Sequence, residues 1–119
     1  MKYVDGFVLP VPKRKMKAYK LIAQKASKLW REHGALEYRE CAAEDLRASW
    51  AMPFPKGIRT KLGETVVFAY VVYKSRAHRD KVNAKIMKDP RIAVMCDPKD
   101  MPFDGKRMLY GGFDTIVEA

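Results

Sequence analysis

The order of patterned segments constrains the fold of this chain more than any other feature of its sequence. Alternation with a period of two predicts strands at residues 2–11 and 35–42, and runs that are apolar on both faces predict strands at residues 64–74 and 107–117. Apolar residues spaced three and four apart predict helices at residues 12–33 and 75–88. The resulting order, βαββαβ, is that of a ferredoxin-like fold. We therefore predict an α+β chain that forms a single domain over residues 1–119, with a four-stranded antiparallel sheet and both helices on one face.

The predicted strand at residues 64–74 carries apolar side chains on both of its faces. The two sets are Val66, Phe68, Tyr70 and Val72 on one side, and Val67, Ala69, Val71 and Tyr73 on the other. Helices on one side of the sheet cover one set, and leaving a Val or Phe side chain in water forgoes about 1.5–3 kcal/mol. Monomers that expose so large an apolar patch are uncommon. We expect a second copy to cover the open face, which gives a symmetric, barrel-like homodimer.

The same strand resembles the aromatic signature of RNA-recognition motifs. Phe68, Tyr70 and Tyr73 lie on the corresponding strand of that topology. However, Val66 and Val67 stand where the signature has a basic residue and a glycine, and the first helix is much longer than in that family. Core or dimer packing therefore explains the strand better than base stacking, and an RNA-associated protein is an alternative.

The chain is strongly basic, with a net charge of +10 from 24 basic and 14 acidic side chains. Such an excess can indicate a nucleic-acid partner or an acidic ligand. The candidate basic surface is the polar face of the first helix, with Lys13, Lys17, Lys20, Lys28 and Arg31. No aromatic residues interleave with it, so a solvated face is the favoured interpretation. Any nucleic-acid binding is predicted to be weak, non-specific and sensitive to salt.

Cysteine usage and the absence of targeting patterns predict a cytoplasmic protein. Cys41 and Cys96 are far apart in the sequence, which is typical of reduced thiols. No signal-peptide pattern is present, and no apolar run approaches the roughly 20 residues that a membrane span needs. His33 and His78 have no cysteine or carboxylate at ligand spacing, and no phosphate-loop or dinucleotide motif occurs. The sequence therefore predicts no metal, no cofactor and no membrane partner.

Polar residues on the predicted strands suggest a ligand cleft beside the sheet. The candidate cleft residues are Asp5, Tyr38, Arg39, Tyr110 and Asp114. Asp5 and Asp114 lie on strands that are neighbours in this fold, and a carboxylate on an apolar strand is costly to bury unless it is paired. Acid and phenol groups in one cleft can transfer a proton. Ion pairs with the many Lys and Arg side chains explain these carboxylates more simply than catalysis does.

Three local features carry further expectations. Gly111 and Gly112 in the last strand predict a bulge or a close approach of the backbone. Residues 43–63 are too long for a plain hairpin, so an arm with a short helical turn is predicted there. The second helix is expected to turn its apolar side chains toward the sheet, namely Ala77, Val82, Ile86 and Met87.

Five strings resemble the YbaA-like family of small uncharacterised bacterial proteins. They are YVDGF at residues 3–7, HGALEYRE at 33–40, YKSRAHRD at 73–80, MPFDGKRM at 101–108 and YGGF at 110–113. The resemblance covers nearly the whole chain and implies a dimeric α+β barrel, residence in the cytoplasm and no assigned activity. It supplies no catalytic residues.

Taken with the resemblance, these patterns predict a cytoplasmic homodimer that binds a small ligand in a cleft beside the sheet. A cofactor-free enzyme, such as an isomerase or monooxygenase, is the second hypothesis and rests on analogy of fold alone. An RNA-associated protein is the third.

Overall fold

The computed structural model describes residues 1–95, 97 and 101–119. Its strands are β1 (Tyr3–Pro12), β2 (Glu37–Ala42), β3 (Glu64–Tyr73) and β4 (Leu109–Asp114). Its helices are α1 (Met16–Glu32), α2 (Phe54–Gly57), α3 (Arg76–Lys88) and α4 (Pro90–Met95). The strands form one antiparallel sheet in the order β2-β3-β1-β4. This order confirms the predicted α+β, ferredoxin-like fold.

Helices α1, α3 and α4 pack on one face of the sheet and bury one apolar set of β3. Val67, Ala69, Val71 and Tyr73 lie beneath the helices and are all buried. Val71 and Tyr73 share a core cluster with Leu29 of α1 and with Val82 and Ile86 of α3. A second cluster joins Val67 to Tyr19 of α1 and to two residues of β1, Leu9 and Val11. The other set of β3 therefore faces away from the helices.

Helix α1 follows the predicted stripe and ends where the sequence predicts. A 3-10 turn at Lys13–Lys15 leads into it, and Tyr19 and Leu29 are its buried residues. Gly34 has a φ of 116°, which a residue without a Cβ adopts readily, and it turns the chain toward β2. The His33 ring lies 2.9 Å from the Asp89 carboxylate, which ties the end of α1 to the start of α4.

Strand β4 is shorter than the predicted segment at residues 107–117. A 3-10 turn at Gly105–Arg107 takes up its expected start, because the Asp104 side chain caps that turn through the Lys106 N–H. Beyond β4, the Thr115 N–H still donates to the Lys2 carbonyl at 3.0 Å. The Asp104 cap therefore holds Gly105–Arg107 in a turn, so that these residues do not form the start of β4.

The arm predicted between β2 and β3 contains α2 as its helical turn. Phe54 of α2 packs edge-on against Phe68 with 6.4 Å between ring centroids. Trp50 remains exposed. Arg107 closes the far end of the arm with two bonds to Glu64, at 2.7 and 2.9 Å, and one to the Arg59 carbonyl. The arm is therefore attached at α2 and at its junction with β3.

The Gly111-Gly112 pair serves a close approach and not a bulge. Pairing between β1 and β4 runs without interruption from Tyr3↔Asp114 to Val8↔Leu109, so the predicted bulge is wrong. The predicted close approach is confirmed, because a Cβ on Gly112 would lie 2.8 Å from Cζ of Tyr3 and would overlap its hydroxyl.

Gly112→Ala should destabilise the protein by about 1–3 kcal/mol, since the added methyl group forces the packed Tyr3 ring to move. Gly105→Ala is the matched control, because a Cβ there meets no atom within 4 Å. Urea unfolding of both variants at one protein concentration measures the difference. Equal stabilities would show that the Tyr3 ring is not held in place.

Candidate functional site

A cleft lies between α1 and the helix-covered face of the sheet. Small side chains create it, because Ala23 and Ala26 of α1 face the sheet where β3 carries Ala69. An outer groove of about 690 Å³ runs between α1 and β2, and an inner cavity of about 170 Å³ adjoins it beneath the helix. Both are lined mainly by apolar atoms. The residues that line both spaces are Tyr19, Ala23, Tyr38 and Glu40.

Glu40 is held between two tyrosines at the junction of these spaces. The Tyr38 hydroxyl donates to Oε2 of Glu40 at 2.6 Å, and the Tyr19 hydroxyl donates to Oε1. Aromatic neighbours pack against both phenol rings. The ring centroids of Phe103 and Tyr19 are 5.6 Å apart, and those of Trp30 and Tyr38 are 6.3 Å apart. A carboxylate is thus presented in a fixed orientation on an otherwise apolar surface.

The electrostatics of this group favour hydrogen-bond acceptance by Glu40. Burial raises the pKa of Tyr19 and of Tyr38 well above the usual phenol range, and the Glu40 carboxylate raises both further. Both phenols therefore stay protonated at neutral pH and act as donors. Each carboxylate oxygen has a second lone pair, so Glu40 can also accept a bond from a ligand hydroxyl or N–H group. A carboxylate at this position can also take a proton from a bound substrate as a general base.

Asp5, Arg79 and Tyr110 form a second polar cluster on the same face of the sheet. Asp5 is 2% exposed, and its Oδ1 accepts from Arg79 Nη1 at 2.8 Å and from the Tyr110 hydroxyl at 3.1 Å. Burial raises the pKa of Asp5, and Arg79 and Tyr110 offset part of that rise. Arg79 also lies 5.0 Å above the Tyr3 ring and donates to Asp80. The cluster ties α3 to β1 and β4.

The structure distributes the five sequence-predicted cleft residues over several places. Asp5 and Tyr110 lie together, whereas Tyr38 lies in the cleft with Glu40. Arg39 borders the outer groove, but its guanidinium pairs with Glu37 at 3.1 Å. Asp114 is exposed at the end of β4. No hydrogen bond links Asp114 to Asp5 in the described part of the chain.

The candidate basic surface is exposed along α1. Four of its members are exposed lysines, and two of these, Lys17 and Lys20, border the outer groove. Arg31 differs, because its guanidinium donates to the carbonyls of Ala35 and Leu36 after the end of α1. The four lysines are Lys13, Lys17, Lys20 and Lys28.

Three functional candidates are absent from the cleft set predicted from the sequence: Tyr19, Glu40 and Arg79. Tyr19 lies on the predicted inward stripe of α1, and Glu40 is two residues from Tyr38 and therefore on the same face of β2. Arg79 lies three residues before the buried Val82, on the inward side of α3. These spacings are the sequence features that could have identified Tyr19, Glu40 and Arg79 as site residues. Of the predicted inward residues of α3, Val82 and Ile86 are buried, whereas Ala77 and Met87 are exposed.

The other face of the sheet forms a contiguous apolar surface, which we call the open sheet face. Phe68 is 45% exposed, Leu109 56% and Phe113 60%. The Phe113 ring covers Gly6 and Gly111, whose missing Cβ atoms leave room for it. Strand register places the following residues on this face: Val4, Val8, Phe68, Tyr70, Val72, Leu109 and Phe113.

The described residues hold no candidate for a metal site or a membrane-spanning helix. Within residues 1–95, 97 and 101–119, no group of three or more His, Cys, Asp or Glu side chains is arranged to hold a metal ion. No helix in this part of the chain is long and apolar enough to cross a membrane.

Comparisons with known proteins give a family without an assigned activity. Residues 2–105 match the family described as "Protein of unknown function (DUF1428)". The "Uncharacterized protein YbaA" of Escherichia coli K12 and that of Shigella flexneri are each 45% identical over 118 residues, which is 99% of both chains. A crystal structure of a dimeric ferredoxin-like protein from an uncultured marine organism aligns with a TM-score of 0.62 and 12% identity. It covers 99% of this chain and 98% of that one, and it shows the same fold.

Asp5→Asn should destabilise the protein by about 3 kcal/mol, because it leaves the mostly buried Arg79 guanidinium without its charged partner. Asp114→Asn removes the same charge from the exposed end of β4 and should change stability little. Urea unfolding at one protein concentration compares them. A loss below about 1 kcal/mol for Asp5→Asn would mean that Asp5 does not hold the fold together and would favour a role in binding.

Proposed function

Because this chain belongs to the family of proteins of unknown function (DUF1428) that includes YbaA, we propose its role from its own geometry. The protein is a cytoplasmic homodimer that binds a small ligand in the cleft between α1 and the sheet. Glu40 is the polar anchor of that ligand. One observation carries the proposal: a carboxylate fixed by the phenols of buried Tyr19 and half-buried Tyr38 at the junction of the outer groove and the inner cavity.

The cleft has the size and chemistry of a small-molecule site. Its outer groove of about 690 Å³ lies within the range of roughly 300–1,000 Å³ that is common for such pockets. Mostly apolar walls with few fixed polar groups are typical of ligand sites, since the walls supply affinity and the polar groups fix orientation.

The dimer rests on the open sheet face. Apolar side chains from β1, β3 and β4 meet there, and Phe68, Leu109 and Phe113 remain exposed although Phe54 of α2 packs on Phe68. Exposed apolar patches of this kind mark interaction sites, and a second copy offers a surface of matching chemistry. The dimeric state of the marine ferredoxin-like protein supports a homodimer. The exposed, free Cys41 suits a reducing compartment such as the cytoplasm.

A cofactor-free enzyme is the second candidate, and the Tyr19–Glu40–Tyr38 group favours it. A carboxylate that accepts two phenol hydrogen bonds can serve as a general base toward a bound substrate, with the phenols as donors to developing charge. An RNA-associated role is less well supported, because a sheet-to-sheet dimer would cover Phe68 and Tyr70. Binding of nucleic acid by the lysines of α1 is then weak and non-specific.

Filling the cleft should abolish binding of an amphipathic fluorescent probe. We expect the native protein to bind 1-anilinonaphthalene-8-sulfonate with enhanced fluorescence, and Ala23→Phe to lose that signal because Ala23 lines both cavities. Ala18→Phe, on the exposed side of the same helix, is the matched control and should retain it. Identical signals from both variants would place the dye elsewhere and count against the cleft.

A charge on the open sheet face should split the dimer. Sedimentation velocity at micromolar concentration is expected to give about twice the chain mass for the native protein. Phe68→Glu should give the mass of one chain, since it buries a carboxylate between two apolar sheets. Leu62→Glu adds the same charge at a fully exposed loop position and should stay dimeric. A native protein that sediments as a monomer contradicts the proposed homodimer.

A further inference from the structure

The walls of the outer groove differ in charge. The α1 wall carries Lys17 and Lys20, which are three residues apart and therefore adjacent on the helix surface. Neither lysine makes an ion pair or hydrogen bond with any residue that the structure describes. The opposite wall consists of β2, where Tyr38, Glu40 and Ala42 face α1 and Arg39, which pairs with Glu37, borders the groove. The groove thus has a cationic rim and an apolar interior with one acceptor.

Glu40 does not neutralise this rim. It is the sole carboxylate among the described residues that line the groove, and its oxygens accept from Tyr19 and Tyr38 and make no ion pair with Lys17 or Lys20. The charge of the whole chain, +10, also raises the local concentration of anions. A ligand that carries its own negative charge can therefore pair with both lysines.

We infer that the ligand is an amphipathic organic anion with an apolar body and a hydroxyl or N–H group. This inference rests on the proposed function, because it assigns a ligand class to the same cleft. The anionic head lies at Lys17 and Lys20, the apolar body lies against Met16, Ala23 and Val67, and the hydroxyl or N–H donates to Glu40.

The apolar part of the ligand can extend into the inner cavity. That cavity adjoins the groove at Tyr19 and Tyr38 and continues among Phe7, Ala69 and Met108. It holds no basic side chain among its described lining residues. A charged group would lose its water there without gaining a partner, so the head stays at the rim and the body goes inward.

Three probes of one chain length separate the contributions: decanol, decanoate and 10-hydroxydecanoate, each titrated calorimetrically below its aggregation concentration. We expect decanoate to bind more tightly than decanol, with an affinity that falls as salt rises, because exposed charges are screened. The hydroxyl of 10-hydroxydecanoate should raise its affinity about threefold to tenfold above that of decanoate through its bond to Glu40. In the Glu40→Gln variant, the affinity for 10-hydroxydecanoate should exceed the affinity for decanoate by a smaller factor.

The lysines are tested with a matched pair of double variants. Lys17→Gln with Lys20→Gln should weaken decanoate about fivefold and leave decanol unchanged. Lys25→Gln with Lys28→Gln removes the same charge three residues apart on the same helix, away from the groove, and should leave both affinities unchanged. Equal binding of decanol and decanoate, or equal losses in both double variants, overturns the anionic ligand but leaves the cleft as a binding site. Failure of all three probes to bind contradicts the proposed function itself.

Discussion

Strand β3 has no polar face, and the rest of the structure depends on how its two apolar faces are covered. On one side, α1 and α3 bury Val67, Val71 and Tyr73 in two core clusters. On the other side, Val66 is buried and Phe54 of α2 packs on Phe68, but Phe68, Leu109 and Phe113 remain exposed. The sheet therefore has one finished face and one that a single chain leaves incomplete. The proposed homodimer is the simplest way to complete it.

Polar groups on the finished face are grouped so that each buried charge has partners. Asp5 is paired with Arg79 and Tyr110, which makes it a link between α3 and the sheet. Glu40 has phenols for partners instead of a cation, and it lies beside empty space instead of beneath a helix. The ion pair with Arg79 neutralises the Asp5 carboxylate, whereas the Glu40 carboxylate can still accept a hydrogen bond from a ligand. This difference is why the cleft, and not the Asp5 cluster, is proposed to bind the ligand.

The sequence predicts the sheet well because period and order are local signals, whereas the site depends on side chains brought together by packing. The βαββαβ order and the apolar faces of β3 follow directly from spacing. The spacing of apolar residues does not identify Arg79 as an inward residue, because a charged residue on an inward stripe breaks the apolar pattern that identifies the stripe. Its partner Asp5 is 74 positions away in the sequence. Gly112 shows the same limit, since its need for space comes from the Tyr3 ring on another strand.

Side-chain footprinting with hydroxyl radicals tests the central claim, that a second copy covers the open sheet face. Phe68 and Phe113 are the reporters, and Leu21 of α1 and Met87 of α3, which are exposed on helices that cover the opposite face of the sheet, are the internal references. If the face is covered, both phenylalanines will be labelled slowly at micromolar concentration and faster on dilution, while the references stay constant. Labelling of Phe68 and Phe113 in proportion to their exposure in the single chain, at every concentration, would contradict the account.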